Sequence, residues 1–288
     1  VNDPIVRLPV GEAAEAAVDW LTSTFSWLFD LIKTVLSSAY NGLDGILTAP
    51  PFWVVIALLV ALAWWIRSWK LALTAAVGLV LINMMNQWDN AMHTLALVLI
   101  ATAIALVIAI PLGILAARND RVSAVVRPVL DFMQTMPAFV YLIPTVTIFL
   151  TGAVPGLVAT VIFALAPGVR FTELGIRQVD REVVEAGEAF GSSSGRILRQ
   201  IQLPLAMPTI MAGVNQVIML ALSMVVIAGL VGSAGLGSEV TRALSSINVG
   251  LGFEAGLAVV ILAVYLDRVT SALGSRSAVA RARTTTSA

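Results

Sequence analysis

Six stretches of this chain contain no Asp, Glu, Lys or Arg: residues 46–66, 71–88, 90–117, 132–169, 200–238 and 255–266. A helix rises 1.5 Å per residue, so about 20 mostly apolar residues cross the roughly 30 Å hydrocarbon layer of a bilayer. The fourth stretch is long enough for two spans, with Gly152, Pro155 and Gly156 marking the turn between them. The fifth holds one span near residues 208–230, and the last begins near Leu251 with Glu254 at its mouth. The pattern predicts an all-α polytopic membrane protein with about seven transmembrane helices, the first two of them short. Composition agrees: 59% of residues are hydrophobic and 12% charged, against roughly 25% charged in a soluble domain.

The basic residues orient the spans. With the N-terminus outside, fourteen of the seventeen Lys and Arg fall on the inner side, leaving only Arg7, Lys33 and Arg242 outside. This is the bias that the positive-inside rule expects, and it requires an odd number of spans. The expected topology is therefore N-terminus out and C-terminus cytoplasmic. Residues 1–20 lack the basic start and apolar core of a signal peptide, so they are expected to belong to the mature chain.

Residues 1–48 form an expected extracytoplasmic segment, 49–273 the membrane domain, and 274–288 a disordered cytoplasmic tail. Within the first, Leu21, Phe25, Leu28, Ile32 and Val35 recur at helical spacing, with Asp19, Ser23, Asp30 and Lys33 on other faces. Trp20 and Trp27 suit the headgroup zone, so the pattern predicts an amphipathic surface helix. The same stripe also suits a helix packed on the bundle. Pro50 and Pro51 close this region.

Several function classes fall away. Net charge is +0, which offers no basic footprint for nucleic acid. There is no Cys and one His, His93, so thiol chemistry, disulfides and His- or Cys-rich metal centres are excluded. No nucleophile–base set or midplane carboxylate pair suggests an enzyme. His93, Asp131 and Glu254 lie near span ends, where structural partners are expected.

The longest polar interruption, about residues 171–206, lies on the predicted inner face. It holds Glu185-Ala186-Gly187, then Gly191, Ile201 and Leu203-Pro204. A short helix from about Arg181 to Phe190 is expected, ended by Gly191. Ala186, Gly187 and Ala189 are small enough for a partner to approach the backbone, and Val184 and Phe190 offer apolar anchors of the helix-in-groove kind. Ser192–Ser194 are placed to cap a second helix beginning near Gly195.

These letters at this spacing resemble the E-A-A loop of bacterial importer permeases: E-A-A, three residues, G, nine residues, I, one residue, L-P. Gly187 departs from it by replacing an alanine. Longer stretches, QTMPAFVYLIPT at 134–145, QLPLAMPTIMAGV at 202–214, LALSMVVI at 220–227 and GLGFEAGLA at 250–258, resemble permeases of glycine betaine/proline betaine importers, over about residues 88–273. The resemblance implies a type I ABC (ATP-binding cassette) importer permease fold in a bacterial inner membrane and a role in osmoprotection. It also implies a complex with a second permease copy, two ATPase subunits and an external substrate-binding protein. Glu185, Ala186, Gly187, Phe190, Gly191, Ile201, Leu203 and Pro204 would form the ATPase-coupling loop. The chain has no G-x-x-x-x-G-K-[ST] pattern; no cofactor is expected on it, and ATP and Mg are expected on the ATPase. A permease for another small solute, such as an amino acid, and a sodium-coupled secondary transporter are the alternatives.

A quaternary ammonium cargo calls for aromatic faces and carbonyls. Gln134, Thr135, Phe139 and Tyr141 in the proline-rich fourth span, with Asn215, Met219, Ser223 and Met224 in the sixth, are candidates for lining the path. Pro137 and Pro144 suit either a cavity-lining kink or simple helix packing. Gly229–Gly237, with four glycines in nine residues, predicts a tight or re-entrant outer loop, a candidate contact for the binding protein. Gly113, Gly213 and Gly256 are expected at close helix contacts.

Overall fold

The computed structural model describes residues 9–275, and every regular element among them is helical. Helix α1 (Val10–Thr24) gives way at Phe25 to α2 (Ser26–Thr48). Phe29, Ile32, Leu36, Tyr40, Leu43 and Leu47 of α2 pack against the core, at the three- and four-residue spacing of one helix face. The predicted stripe is thus displaced by a residue and carried three turns further. Val35, assigned to the apolar face, is 56% exposed, as are Trp20, Trp27 and Leu31 to similar degrees. The break at Phe25 resets the helical phase, which a single continuous periodicity does not allow for.

Helix α3 (Phe52–Ile66) leaves α2 at 101°. Pro50 and Pro51 lie in the break, where a missing N–H and a restricted preceding residue stop the helix. It folds back on α4 (Trp69–Met84). At 15 and 16 residues, each is about 22–24 Å long, too short to cross alone. Both are held to the bundle by α13 (Val249–Ser275): Tyr265 Oη donates to Leu59 O at 3.0 Å, and a Cβ on Gly78 would stand 2.8 Å from Ile261.

Among the described residues, four helical runs are long and apolar enough to cross: α5 (Trp88–Arg118), α8 (Ala153–Arg177), α13, and Ser194–Val231, which contains α11 (Leu203–Ala228). α8 lies between α5 and α11. Small residues set the spacing: a Cβ on Gly113 would meet Thr172 at 2.6 Å, on Gly168 Ala109 at 2.7 Å, and on Gly213 Phe171 at 2.5 Å. Close backbone approach of this kind is how helices associate where lipid is as apolar as leucine. Gly256 has nothing within 4 Å, so it is not the packing point its sequence position suggested.

The fourth expected span departs most from expectation. Helices α6 (Asp120–Thr135) and α7 (Ala138–Phe149) meet at 96°. Met136 is extended (φ −72°, ψ 134°) and Pro137 is the N-cap of α7, where its missing N–H leaves no bond unmade. Pro144 stays inside α7 without ending it. Each expected span therefore has its helix, but α3, α4 and α7 do not cross unaided, so the described residues supply four to six crossings, depending on whether each bent pair spans, rather than seven. The expected disordered tail falls outside the described residues, apart from Gly274 and Ser275, which continue α13.

The glycine-rich segment is a tight, packed turn that leads into a helix. A 3₁₀ turn, Gly229–Val231, leads through Gly232 (φ 82°) and Gly235 (φ 121°) into α12 (Leu236–Ser245). A Cβ on Gly229 would lie 2.1 Å from Gly237 C, and one on Gly237 2.5 Å from Val225 O. The Leu236 N–H donates to buried Thr94 Oγ1 at 2.8 Å, filling an orphan donor at the start of α12. These glycines let two backbones touch. Gly229→Ala, with backbone atoms in the way, is expected to destabilise by about 3 kcal/mol or more and to lower the apparent Tm in detergent. Gly256→Ala, with open space around it, should leave the Tm unchanged; equal Tm values for both variants would refute the packing role.

Candidate functional site

The inner polar segment begins later than its charges suggested, because α8 continues to Arg177. Asp180 then caps α9 (Arg181–Ala189), its Oδ1 accepting from the Glu182 N–H at 3.0 Å. The helix closes as expected at Gly191 (φ 74°), with Ser192 N donating to Gly187 O at 3.1 Å and Gly191 N to Glu188 O at 2.8 Å. That pair of bonds is the Schellman arrangement, which needs a left-handed residue at this position. The following helix α10 (Ser194–Ile197) starts one residue early, at Ser194, and its N-cap Ser193 makes no side-chain cap bond. It runs through a π-helical turn, Leu198–Gln202, into α11, with Pro204 in its first turn.

The loop residues divide into two sets. Gly187 is the one buried residue of α9, and a Cβ there would lie 2.8 Å from Ile201 Cδ1 and 3.5 Å from Ile197 Cγ1. Its small size therefore lets α9 seat on its own chain, rather than admitting a partner as the sequence suggested. An alanine would meet only the flexible tip of Ile201. Leu203 packs beside Ile176, Leu198, Ala206 and Ile210. Glu185, Ala186 and Gly191 are exposed; Glu185 pairs with Arg181 at 3.0 Å. Phe190 is 89% exposed. The ring is thus held out by a capped helix on a platform fixed from below, and an exposed aromatic of this kind can serve as an anchor for a partner.

A charge cluster behind this platform escaped the sequence reading. Glu173, with 4% of its side chain exposed, accepts at Oε1 from Ser123 Oγ (2.7 Å), Arg127 Nη2 (2.8 Å) and Arg177 Nε (2.9 Å). Arg177 also donates to Asp120 Oδ1 at 2.7 Å and Ala116 O at 2.8 Å. Asp131 pairs with Arg170 across the same cleft. Together these bonds join α6 to α8 immediately before α9. The i, i+4 spacing of Glu173 and Arg177 was the available signal. The other flagged residue with a partner is His93, whose Nδ1 lies 2.6 Å from Asp44 Oδ1, tying α5 to α2.

The candidate path residues are only partly brought together. Tyr141 and Met224 are buried in one cluster with Leu142 and Ala159. Tyr141 Oη donates to Met133 O across the α6–α7 elbow, and its ring meets Phe163 edge-on at 6.0 Å. Gln134, Thr135 and Phe139 are exposed around that elbow; Met219 and Ser223 are exposed one turn apart on α11. Asn215 is engaged elsewhere, donating to Asp267 Oδ1 at 2.7 Å and accepting from Thr270 Oγ1 at 3.0 Å. Among the described residues, no group of three His, Asp or Glu is placed to hold a metal ion.

Comparison with known proteins fits this architecture. Residues 109–278 match the family described as binding-protein-dependent transport system inner membrane component. The glycine betaine transport system permease protein OpuAB of Bacillus subtilis is 48% identical over 93% of this chain and 95% of its own length. The glycine betaine/proline betaine transport system permease protein ProW of Escherichia coli is 44% identical over 96% of this chain and 79% of its own length. The trimethylamine N-oxide transport system permease protein TmoV of Ruegeria pomeroyi is 38% identical over 85% of this chain and 38% of its own length. Among solved structures, an inward-facing conformation of the MetNI methionine ABC transporter aligns with TM-score 0.58 at 21% identity, over 68% of this chain and 95% of that chain. At that identity the likeness speaks for the fold alone.

Proposed function

The chain belongs to the binding-protein-dependent transport inner membrane components, the permease subunits of ABC importers, and we propose that its cargo is glycine betaine or a similar betaine. The carrying observation is near end-to-end similarity, 44–48% identical over 93–96% of this chain, to permeases named for glycine betaine. The trimethylamine N-oxide permease extends the chemistry, because that solute and a betaine share a fully substituted, cationic nitrogen with no N–H to donate. Such a nitrogen is held by aromatic faces and carbonyls rather than by a hydrogen bond. Phe139 is already open; Tyr141 reaches cargo only if α7 moves. Gln134, Thr135, Met219 and Ser223 supply the polar and polarizable remainder, Met224 shapes the wall, and Asn215 holds α11 to α13 through Asp267 and Thr270. Family membership displaces the sodium-coupled carrier; an amino-acid cargo is the second reading.

The working complex holds two copies of this chain, two ATPase subunits at α9 and an external binding protein. The arginine-rich end, which carries α9, faces the cytoplasm, and the N-terminal helices lie outside. ATP and Mg act on the ATPase. ATP shifts the permease between inward- and outward-facing states through its different affinity for them, and α9 is the lever that transmits the shift.

The test is uptake of labelled glycine betaine into vesicles containing the assembled complex. ATP-dependent accumulation is expected, with competition by trimethylamine N-oxide and none by methionine. A complex that hydrolyses ATP yet accumulates no betaine would overturn the cargo and leave the family standing.

A further inference from the structure

Beside α9 lies a feature the anchor geometry does not use. Arg118 at the end of α5, with Arg196 and Arg199 on the α10 and π-helical segment, frames a cavity of about 520 Å³ that Ser193 and Gln200 also line. Arg127, Arg170, Arg177 and Arg181 each sit against a carboxylate of this chain. Among the described residues, Arg118, Arg196 and Arg199 have no ion pair, and Arg118 donates only to Ser194 Oγ at 3.3 Å. Three guanidinium groups around one opening repel each other until an anion enters, and their planar forks fit carboxylates two bonds at a time.

We propose that this cavity receives acidic side chains of the ATPase subunit, as a second, charged contact beside Phe190. The inference rests on the reading of α9 as the ATPase seat. Continuity supports it: α9 packs through Gly187 onto Ile197 and Ile201, and Arg196 and Arg199 alternate with those residues on the same short segment. A subunit seated on α9 would therefore lie next to the cavity, whose lining on this side begins at Ser193, three residues after Phe190. Charge pattern supports it too. Exposed Glu182, Glu185 and Glu188 make α9 acidic, so the docking face has a negative ridge beside a positive hollow. Such a face fixes the register of its partner and speeds encounter more than it adds bulk affinity.

The experiment measures binding of the purified ATPase subunit to the full permease in nanodiscs, with purely zwitterionic lipid and with added phosphatidylglycerol. In zwitterionic discs, Arg196→Glu/Arg199→Glu is expected to raise Kd about ten-fold or more and to slow association. Arg196→Lys/Arg199→Lys keeps the charge and loses only the two-bond fork, so its Kd should fall between wild type and the reversal, which separates lost charge from misfolding. Wild-type affinity should not depend on phosphatidylglycerol. An unchanged Kd for the double reversal, alongside a loss for Phe190→Ala, overturns the cavity proposal and spares the α9 seat. An unchanged Kd for both variants overturns the seat and the proposal together. Wild-type binding that requires phosphatidylglycerol, with a reversal variant that ignores it, assigns the cavity to a lipid phosphate instead and also overturns the proposal.

Discussion

Phe190→Ala is expected to weaken ATPase docking by about 30- to 1,000-fold, because a central aromatic anchor lost from an interface costs about 2–4 kcal/mol. The ring is 89% exposed, so nothing in the isolated permease depends on it, and the apparent Tm should not move. The capped helix that presents it, closed by Asp180 at one end and Gly191 at the other, should stay formed. Uptake would therefore collapse while folded permease persists. Phe190→Tyr and Phe190→Leu, which keep most of the apolar volume, should fall between. Uptake by Phe190→Ala within two-fold of wild type would remove α9 from the transmission path.

Much of this organisation was legible because charge is costly in hydrocarbon: every charge-free stretch contains a helix, and the turn at Gly152 falls where glycine and proline put it. The helix ends were harder to read. Charge marks the edge of the bilayer rather than the end of a helix, so α8, which runs past Arg170 to Arg177, was cut short and Glu173 was assigned to a loop. Pro137 and Pro144 look alike in sequence, yet one turns the chain by 96° and the other sits quietly in α7. The difference lies in what each replaces: Pro137 stands at a helix start after an extended residue, Pro144 within a formed helix. The exposed half of the 171–206 segment followed from local signals, an N-cap, a C′ glycine and an aromatic. Its buried half depends on the contact of Gly187 with Ile201, a tertiary fact behind a spacing that sequence shows only as a motif. The glycine cluster 229–237 announced its tight turn but not its packing, for the same reason: only the neighbours show that two backbones touch there.

Glu173 is where the second large effect is expected. Its Oε1 gathers a hydroxyl from α6, a guanidinium from α6 and another from α8. Removing the carboxylate leaves two arginines facing each other in a partly buried cleft. Breaking such a pair costs about 3–5 kcal/mol when fully buried. Arg127 and Arg177 keep 58% and 32% of their side chains exposed, which puts Glu173→Ala near 3 kcal/mol by that same range. Glu173→Gln keeps the volume and an acceptor and is expected to be milder, so it isolates function from folding. The joint lies between the two parts that the proposed mechanism moves. Arg177 is three residues before the cap of α9, and α6 leads through the Pro137 elbow to α7 and Tyr141. On the proposed mechanism, displacement of α9 by the ATPase would have to pass through Glu173 to reach the α7 face. With Glu173→Gln, folded complex should still hydrolyse ATP but consume several-fold more of it per betaine imported. A lowered Tm with an unchanged ATP-to-cargo ratio would reduce Glu173 to a structural tie and require another route from α9 to the path.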